Sequence, residues 1–322
     1  MKIIDKKTLE QVGFTDTSFD DYSSKKVVLR DGRDAIVWVH KQTGHGILDS
    51  QYWEDQSYYN EDYRKDYSAE VNTGLSASDH LESYSELNEK QFDAFASYLK
   101  KETKFLEIGC SFGGILKKVN QFGVAVCHGV EPNKKDVAFS QLNNEKAKIF
   151  NSTFEEADLA ENHYDMLVSN EVLEHTVSPR EFLKKCYEVL GKNGFLHIEV
   201  PNHDDALVST YKNLGNLKFY YRNAHIHYFT KESLYLLCRE CGFDGDVSSF
   251  LMYPFFNHVW WTQNNKPQTS ANIALSSLVP TDGDSQAARS INDFYKKVEE
   301  DYENLINKNM LGDCLIFQGR KR

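Results

Sequence analysis

The sequence predicts an α/β fold: a mostly parallel sheet with helices on both faces. Three observations carry this. Short apolar runs alternate with helix-spaced segments from residue 85 to residue 253. A glycine turn, Lys104-Phe-Leu-Glu-Ile-Gly-Cys-Ser-Phe-Gly-Gly-Ile115, joins the first such run to a helix, and Glu131 closes the second. Strands separated by helices cross over to parallel neighbours, and the crossovers cover both faces of the sheet.

Taken in order, residues 1–84 are the least regular part and form an N-terminal appendage or lid. Lys26 to Leu29 and Ala35 to Val39 alternate well enough for two strands joined through Asp31-Gly32, a hairpin signal. Tyr52, Trp53, Tyr58, Tyr59 and Tyr63 follow, with Arg64 and Lys65 after them. Such a cluster suits either a lid over a pocket or the face by which the appendage docks. Leu87, Phe92, Phe95 and Leu99 have roughly helical spacing between Ser83 and Lys100.

The core, residues 85–253, then reads as strand Lys104 to Ile108, helix Ile115 to Phe122, and strands Val124 to Val130, Lys148 to Phe150 and Tyr164 to Ser169. Helix Pro179 to Leu190 ends at Gly191, and strand Gly194 to Val200, helix Lys231 to Cys241 and strand Asp246 to Met252 complete it. Residues 254–309 are an insertion, with a polar loop from Gln263 to Ala287 and a helix from Ser290 to Asn307. Residues 310–322 hold the last strand, Asp313 to Gln318, expected beside one of the two strands before it.

Composition narrows the function. A formal net charge of −11 disfavours a nucleic-acid partner, since a phosphate backbone needs cationic side chains. The sequence has no apolar run of about 18 residues and no signal-peptide core, so a cytoplasmic protein without a membrane partner is expected. The six cysteines lie scattered in apolar segments, as reduced core thiols do. Cys238 and Cys241 form a C-x-x-C within a helix, with no second pair for zinc.

The glycine turn lets backbone pass close to a ligand, and the free N–H groups of the following helix favour a polar or anionic one. Its spacing, Gly109-x-Ser111-x-x-Gly114, falls short of the full dinucleotide pattern because Ser111 replaces the second glycine. Glu131, 18 residues after Gly113, can accept hydrogen bonds from ribose hydroxyls. Turn and carboxylate together point to a nucleoside-containing cofactor.

Glu107-Ile-Gly-Cys-Ser-Phe-Gly113, Val130-Glu131-Pro132, Tyr164-Asp165 with Asn170-Glu-Val-Leu-Glu-His175, Leu190-Gly-Lys-Asn-Gly194 and Ile198-Glu-Val-Pro-Asn202 resemble, in order, the motifs of class I S-adenosylmethionine-dependent methyltransferases. The resemblance implies a Rossmann-like seven-stranded sheet whose last strand is antiparallel. It implies S-adenosylmethionine as cofactor, with Gly109, Cys110, Ser111, Gly113 and Glu107 around the methionine part and Glu131 on the ribose. Thr153 and Phe154 match adenine-flanking positions, Phe154 being equally readable as a core aromatic, and Asn170 stands at the pocket mouth.

His175 has three readings: a structural side chain, a general base for a hydroxyl acceptor, or a metal ligand. Glu171, Glu174 and His175 match the Glu-Val-x-Glu-His stretch of ubiquinone-biosynthesis O-methyltransferases, where the resemblance implies a divalent metal; that reading is not favoured here. Tyr220-Tyr-Arg-Asn-Ala-His-Ile-His-Tyr-Phe-Thr230 adds His225 and His227, which either reach the substrate or bond nearby backbone, and Thr230 as a helix cap.

The expected function is methyl transfer to a small-molecule acceptor, first of all a hydroxyl of a sugar or nucleotide-sugar type metabolite, as in carbohydrate biosynthesis. The alternatives are an N- or C-methyltransferase and a non-catalytic cofactor-binding module. The insertion is also compatible with an arm to a second copy in a homo-oligomer.

Overall fold

The computed structural model describes residues 18–53, 76–268 and 271–322. Two strands, β1 (Tyr22–Val28) and β2 (Asp34–His40), pair antiparallel with Tyr22 opposite His40, so the hairpin is longer than its alternating stretch suggests. A short β3 (Gly46–Leu48) follows. Of the aromatic cluster, Tyr52 and Trp53 pack against this sheet; Tyr58, Tyr59 and Tyr63 lie outside the described residues. The helix expected between Ser83 and Lys100 is α2 (Ser85–Ala96), and a separate helix, α1 (Ala77–Ser83), precedes it across Tyr84.

The core continues with β4 (Lys104–Ile108), α3 (Gly114–Phe122), β5 (Val126–Val130), α4 (Lys134–Asn143), β6 (Lys148–Phe150) and β7 (Tyr164–Asn170). After a 3-10 turn at Leu173–His175 come α5 (Pro179–Val189), β8 (Leu190–Pro201), α6 (Leu214–Tyr220), β9 (His227–Tyr228), α7 (Lys231–Glu240) and β10 (Phe243–Phe250). The remaining elements are α8 (Phe255–Asn264), α9 (Ala271–Leu275), α10 (Gln286–Lys308) and β11 (Cys314–Lys321).

The helix α10 starts four residues before the expected Ser290 because Ser285 caps it, accepting from the Ala288 N–H at 3.1 Å. Similarly, Thr230 and Ser233 cap α7 reciprocally.

The main sheet has the order β10-β11-β8-β7-β4-β5-β6, and β11 is antiparallel to both its neighbours. The returning strand, expected beside one or the other of β8 and β10, lies between them and pairs with both. Apolar side chains bury against both faces: α5 and α7 cover one, with Phe182, Leu183, Leu234 and Leu237; α2 and α3 cover the other, with Phe95, Leu116 and Val119.

A second sheet, β1-β2-β3-β9, joins the N-terminal hairpin to the core, since β9 belongs to the segment after β8. Val27, Leu29, Val37 and Leu48 share one apolar cluster with Tyr221 and Tyr228. Backbone bonds reinforce the joint: Arg30 N–H donates to the Tyr221 carbonyl at 2.7 Å and Leu48 N–H to that of Ile226 at 2.9 Å.

All six cysteines are buried and unpaired with one another. Burial holds the Cys238 thiol well above its usual range and pushes Cys241 up to about 11, which leaves the C-x-x-C as core packing. Among the described residues no helix is long and apolar enough to cross a membrane.

Candidate active site

A cavity of about 860 Å³ lies where β4, β5, β6, β7 and β8 end, the crevice in which open α/β sheets bind ligands. Glu107, Gly109, Cys110, Ser111, Glu131, Thr153, Phe154, Asn170, Glu171, Glu174 and His175 all line it. Gly113 and His227 do not.

The turn after β4 is shaped by its neighbours. At Gly109, φ is +76°, and a Cβ would lie 2.4 Å from Val172 Cγ2, so only glycine fits. Gly113 has φ +79° and serves packing instead: a Cβ there would meet Ser140 Oγ at 2.1 Å on α4. Ser111, the departure from the glycine pattern, still adopts φ +47°. Its N–H donates to Glu131 Oε2 at 3.0 Å, and the Asn133 N–H donates to Oε1 at 2.8 Å. Two backbone donors thus fix the Glu131 carboxylate at the end of β5.

Glu107 Oε2 is buried without a hydrogen-bond partner, and so are both polar side-chain atoms of Asn170. Burial, with the Glu131 charge added, pushes the Glu107 carboxyl well above its ordinary range. Thr153 Oγ1 accepts from the Glu156 N–H at 3.3 Å. Phe154 satisfies both of its readings: it is 4% exposed, packs on Phe182 at 4.9 Å between centroids, and lines the cavity.

Opposite the turn stands His175. Its Nδ1 lies 2.8 Å from the Ala224 carbonyl, which can only accept, so Nδ1 carries the proton and Nε2 the lone pair. Burial lowers its pKa to about 4, keeping the ring neutral near pH 7. Nε2 is 3.5 Å from Glu174 Oε1. Burial raises Glu174 to about 8, so this contact joins a neutral imidazole to a protonated carboxyl and is not an ion pair. The His225 ring stands edge-on to His175 at 4.9 Å.

Beneath them lie more acids. Glu171 has φ +56° and accepts from the Cys314 thiol at 3.4 Å. Glu199 accepts from Gln91 Nε2 at 2.7 Å, and burial, with repulsion from Glu171 added, raises it to about 8. Burial and the neighbouring Glu174 likewise raise Glu171 well above its ordinary value.

Potential metal ligands gather in two groups among the described residues: Glu174 with His175 and His225, and Glu171 with Glu199 and Cys314. Glu171 is thus grouped apart from Glu174 and His175, the trio suggested by the Glu-Val-x-Glu-His stretch.

The second histidine pair separates. His225 lines the cavity, whereas His227, in β9 opposite Ile47, turns to the N-terminal sheet. Its Nδ1 lies 3.1 Å from His45 Nε2, and His45 Nδ1 lies 3.2 Å from Ser233 Oγ. His227 is therefore buried within the N-terminal sheet and away from the cavity. Sequence reasoning missed the wall made by α6 and α8, which brings Asn216, Phe219, Asn257 and Trp261 to the cavity, and Arg30 from the N-terminal hairpin. Arg222 also lines it; its position inside the histidine stretch was the available signal.

Residues 80–247 match the family described as a methyltransferase domain. The chain belongs to the class I S-adenosylmethionine-dependent methyltransferases. Similar proteins include the ubiquinone biosynthesis O-methyltransferase of Bradyrhizobium diazoefficiens, 30% identical over 105 residues that cover 31% of this chain and 41% of that protein. The mitochondrial ubiquinone biosynthesis O-methyltransferase of Rattus norvegicus is 24% identical over 191 residues, 54% of this chain and 53% of that one. The chain spans about half the length, or less, of these two relatives. A solved structure of a SAM dependent methyltransferase from Archaeoglobus fulgidus superposes with TM-score 0.51 and 19% identity, covering 81% of this chain and 100% of that one. At this identity the likeness is one of fold.

The site fits the family's cofactor. The orphaned Glu107 Oε2 offers a partner to the polar end of a methionine moiety, and the glycine at 109 keeps backbone open beside it.

Proposed function

We propose that the protein transfers the methyl group of S-adenosylmethionine to a hydroxyl of a small-molecule acceptor of the sugar type. The observation that carries this is His175: a neutral imidazole on the cavity wall whose Nδ1–H is held by a carbonyl, which makes Nε2 the nitrogen that can take an acceptor proton. A hydroxyl needs such a group; an amine acceptor at neutral pH has less use for one.

When bound, S-adenosylmethionine supplies an electrophilic methyl group on its sulfonium. Glu131 would hold the ribose hydroxyls, Thr153 and Phe154 would flank the adenine, and Glu107 with the turn at Gly109, Cys110 and Ser111 would hold the methionine end. Asn170 stands between this half and the acceptor half. Positioning is the larger part of the catalysis, since fixing an acceptor oxygen in line with the methyl group removes the orientational cost beforehand. His175 Nε2 takes the hydroxyl proton as the oxygen attacks, and the Ala224 carbonyl, accepting from Nδ1–H at 2.8 Å, stabilises the developing imidazolium.

The relatives named for ubiquinone biosynthesis make a phenol the competing acceptor. Labelled S-adenosylmethionine with a panel of glycosides, sugar nucleotides and polyprenyl phenols decides between them. The expected result is label on a sugar oxygen; label on the phenol alone overturns the sugar reading. His175→Gln is expected to lower turnover about 100-fold or more, the low end of general-base effects, with affinity for S-adenosylhomocysteine within about twofold. Unchanged turnover removes the base.

A further inference from the structure

Besides Glu107, which belongs to the cofactor half, five of the described residues that line the cavity carry buried side-chain atoms without hydrogen-bond partners: Asn170, Glu174, Asn216, Asn257 and Gln268. They come from the end of β7, the 3-10 turn, α6, α8 and the segment after α8. Buried polar atoms are nearly always paired in folded proteins, and each exception is costly. Five on one cavity, drawn from five separate segments, mark a surface awaiting a ligand.

The chemistry of these atoms is mixed. Asn170 Nδ2 and Gln268 Nε2 donate, while Asn216 Oδ1 and Asn257 Oδ1 accept. A hydroxyl both donates and accepts, so a ring carrying several can satisfy the set without any formal charge. Beside Asn216 and Asn257, Trp261 packs on Phe219 at 5.4 Å, an apolar flank suited to the C–H face of such a ring.

The charges around the cavity argue against a phosphorylated ligand. Only two lining side chains among the described residues are cationic, Arg30 and Arg222, against nine carboxyl groups. Both arginines are engaged: Arg30 donates to the Phe219 carbonyl at 2.8 Å and stacks on that ring at 3.6 Å, and Arg222 faces Glu171 and Glu174. A diphosphate would find both of these cations already engaged and carboxyl groups, not cations, around them.

Resting on the methyl-transfer reading, we infer that the acceptor subsite on the wall of α6, α8 and Gln268 takes an uncharged polyhydroxylated ring, a free glycoside and not a sugar nucleotide.

Saturation-transfer NMR on the full chain tests this, with methyl glucoside, methyl mannoside and methyl rhamnoside against UDP-glucose and GDP-mannose, with and without saturating S-adenosylhomocysteine. Calorimetry with S-adenosylhomocysteine alone is the independent readout of the cofactor half. The neutral glycosides are expected to give the signal. Asn257→Leu should cut it at least fivefold, and so should Gln268→Leu, at a half-buried position where folding is least at risk, with S-adenosylhomocysteine affinity kept within about twofold. Signal from the sugar nucleotides alone overturns the proposal, as does a glycoside signal that neither variant changes. Glycoside binding without S-adenosylhomocysteine binding supports the subsite and sinks the methyl-transfer reading; S-adenosylhomocysteine binding without any glycoside signal does the reverse.

Discussion

Single residues set the chemistry by conformation as much as by side chain. His175 is useful because one carbonyl fixes its tautomer and burial fixes its charge. The acid limb of kcat/KM is therefore expected near pH 4, not near the 6.5 of a free imidazole, and a limb at 6.5 would show that the group which titrates is another. Ser111 is the residue least at ease. A non-glycine residue at φ +47° costs about 1–2 kcal/mol, and glycine's extra freedom in the unfolded chain returns about half of that. Ser111→Gly is expected to raise stability by about 0.5–1 kcal/mol in urea unfolding, since the N–H that bonds Glu131 is kept. A loss of stability would mean that the serine hydroxyl contributes more than the strain costs.

At the scale of elements, what was legible in the sequence was what local pattern can carry. The glycine turn, Glu131 and the Asn170 to His175 stretch are contiguous and stand at strand ends, so they announced the cofactor half. The helices α4, α6 and α8 gave no such signal because their buried positions are partly polar: Asp136 and Ser140, then Asn216, then Asn257 and His258. Periodicity reads apolar faces and is blind to these. Nor does any local pattern announce that two residues of β9 complete the sheet of a hairpin nearly two hundred positions away. The joint between α8, α10 and β11 is of the same kind. His258 Nε2 meets Asp313 Oδ1 at 3.1 Å and its Nδ1 meets the Tyr302 hydroxyl at 2.8 Å. The Asp313 charge outweighs burial and raises the His258 pKa. The pair's contribution is then full below pH 6.5 and declines as pH rises through the folded value. His258→Ala is expected to cost about 3 kcal/mol at pH 6, as breaking a buried pair does, and less at pH 9. Urea midpoints at the two pH values measure it, and an equal loss at both would assign the effect to packing.

Across the whole molecule, the unusual feature is acid buried at the meeting point of α2, β7, β8 and β11. Glu171, Glu174 and Glu199 are all raised, the last two to about 8, in a chain whose formal net charge is already −11. In the unfolded chain these carboxyls ionise near pH 4.5, whereas in the folded one Glu174 and Glu199 hold their protons until about pH 8. Between those values the folded state binds more protons than the unfolded state, so stability falls as pH rises and levels off above 8. Each pKa unit corresponds to about 1.4 kcal/mol, so even one unit of the Glu199 shift is a visible fraction of the about 5–15 kcal/mol by which domains are stable. Glu199→Gln keeps an oxygen for Gln91 Nε2 and removes the proton. The variant is expected to match the wild type at pH 4.5 and to exceed it by at least about 1.4 kcal/mol at pH 8, with a flatter profile between. Urea unfolding across that range decides it. Parallel profiles for the two proteins would mean that water or a cation already compensates the buried charge, and that the acids are ionised in the fold.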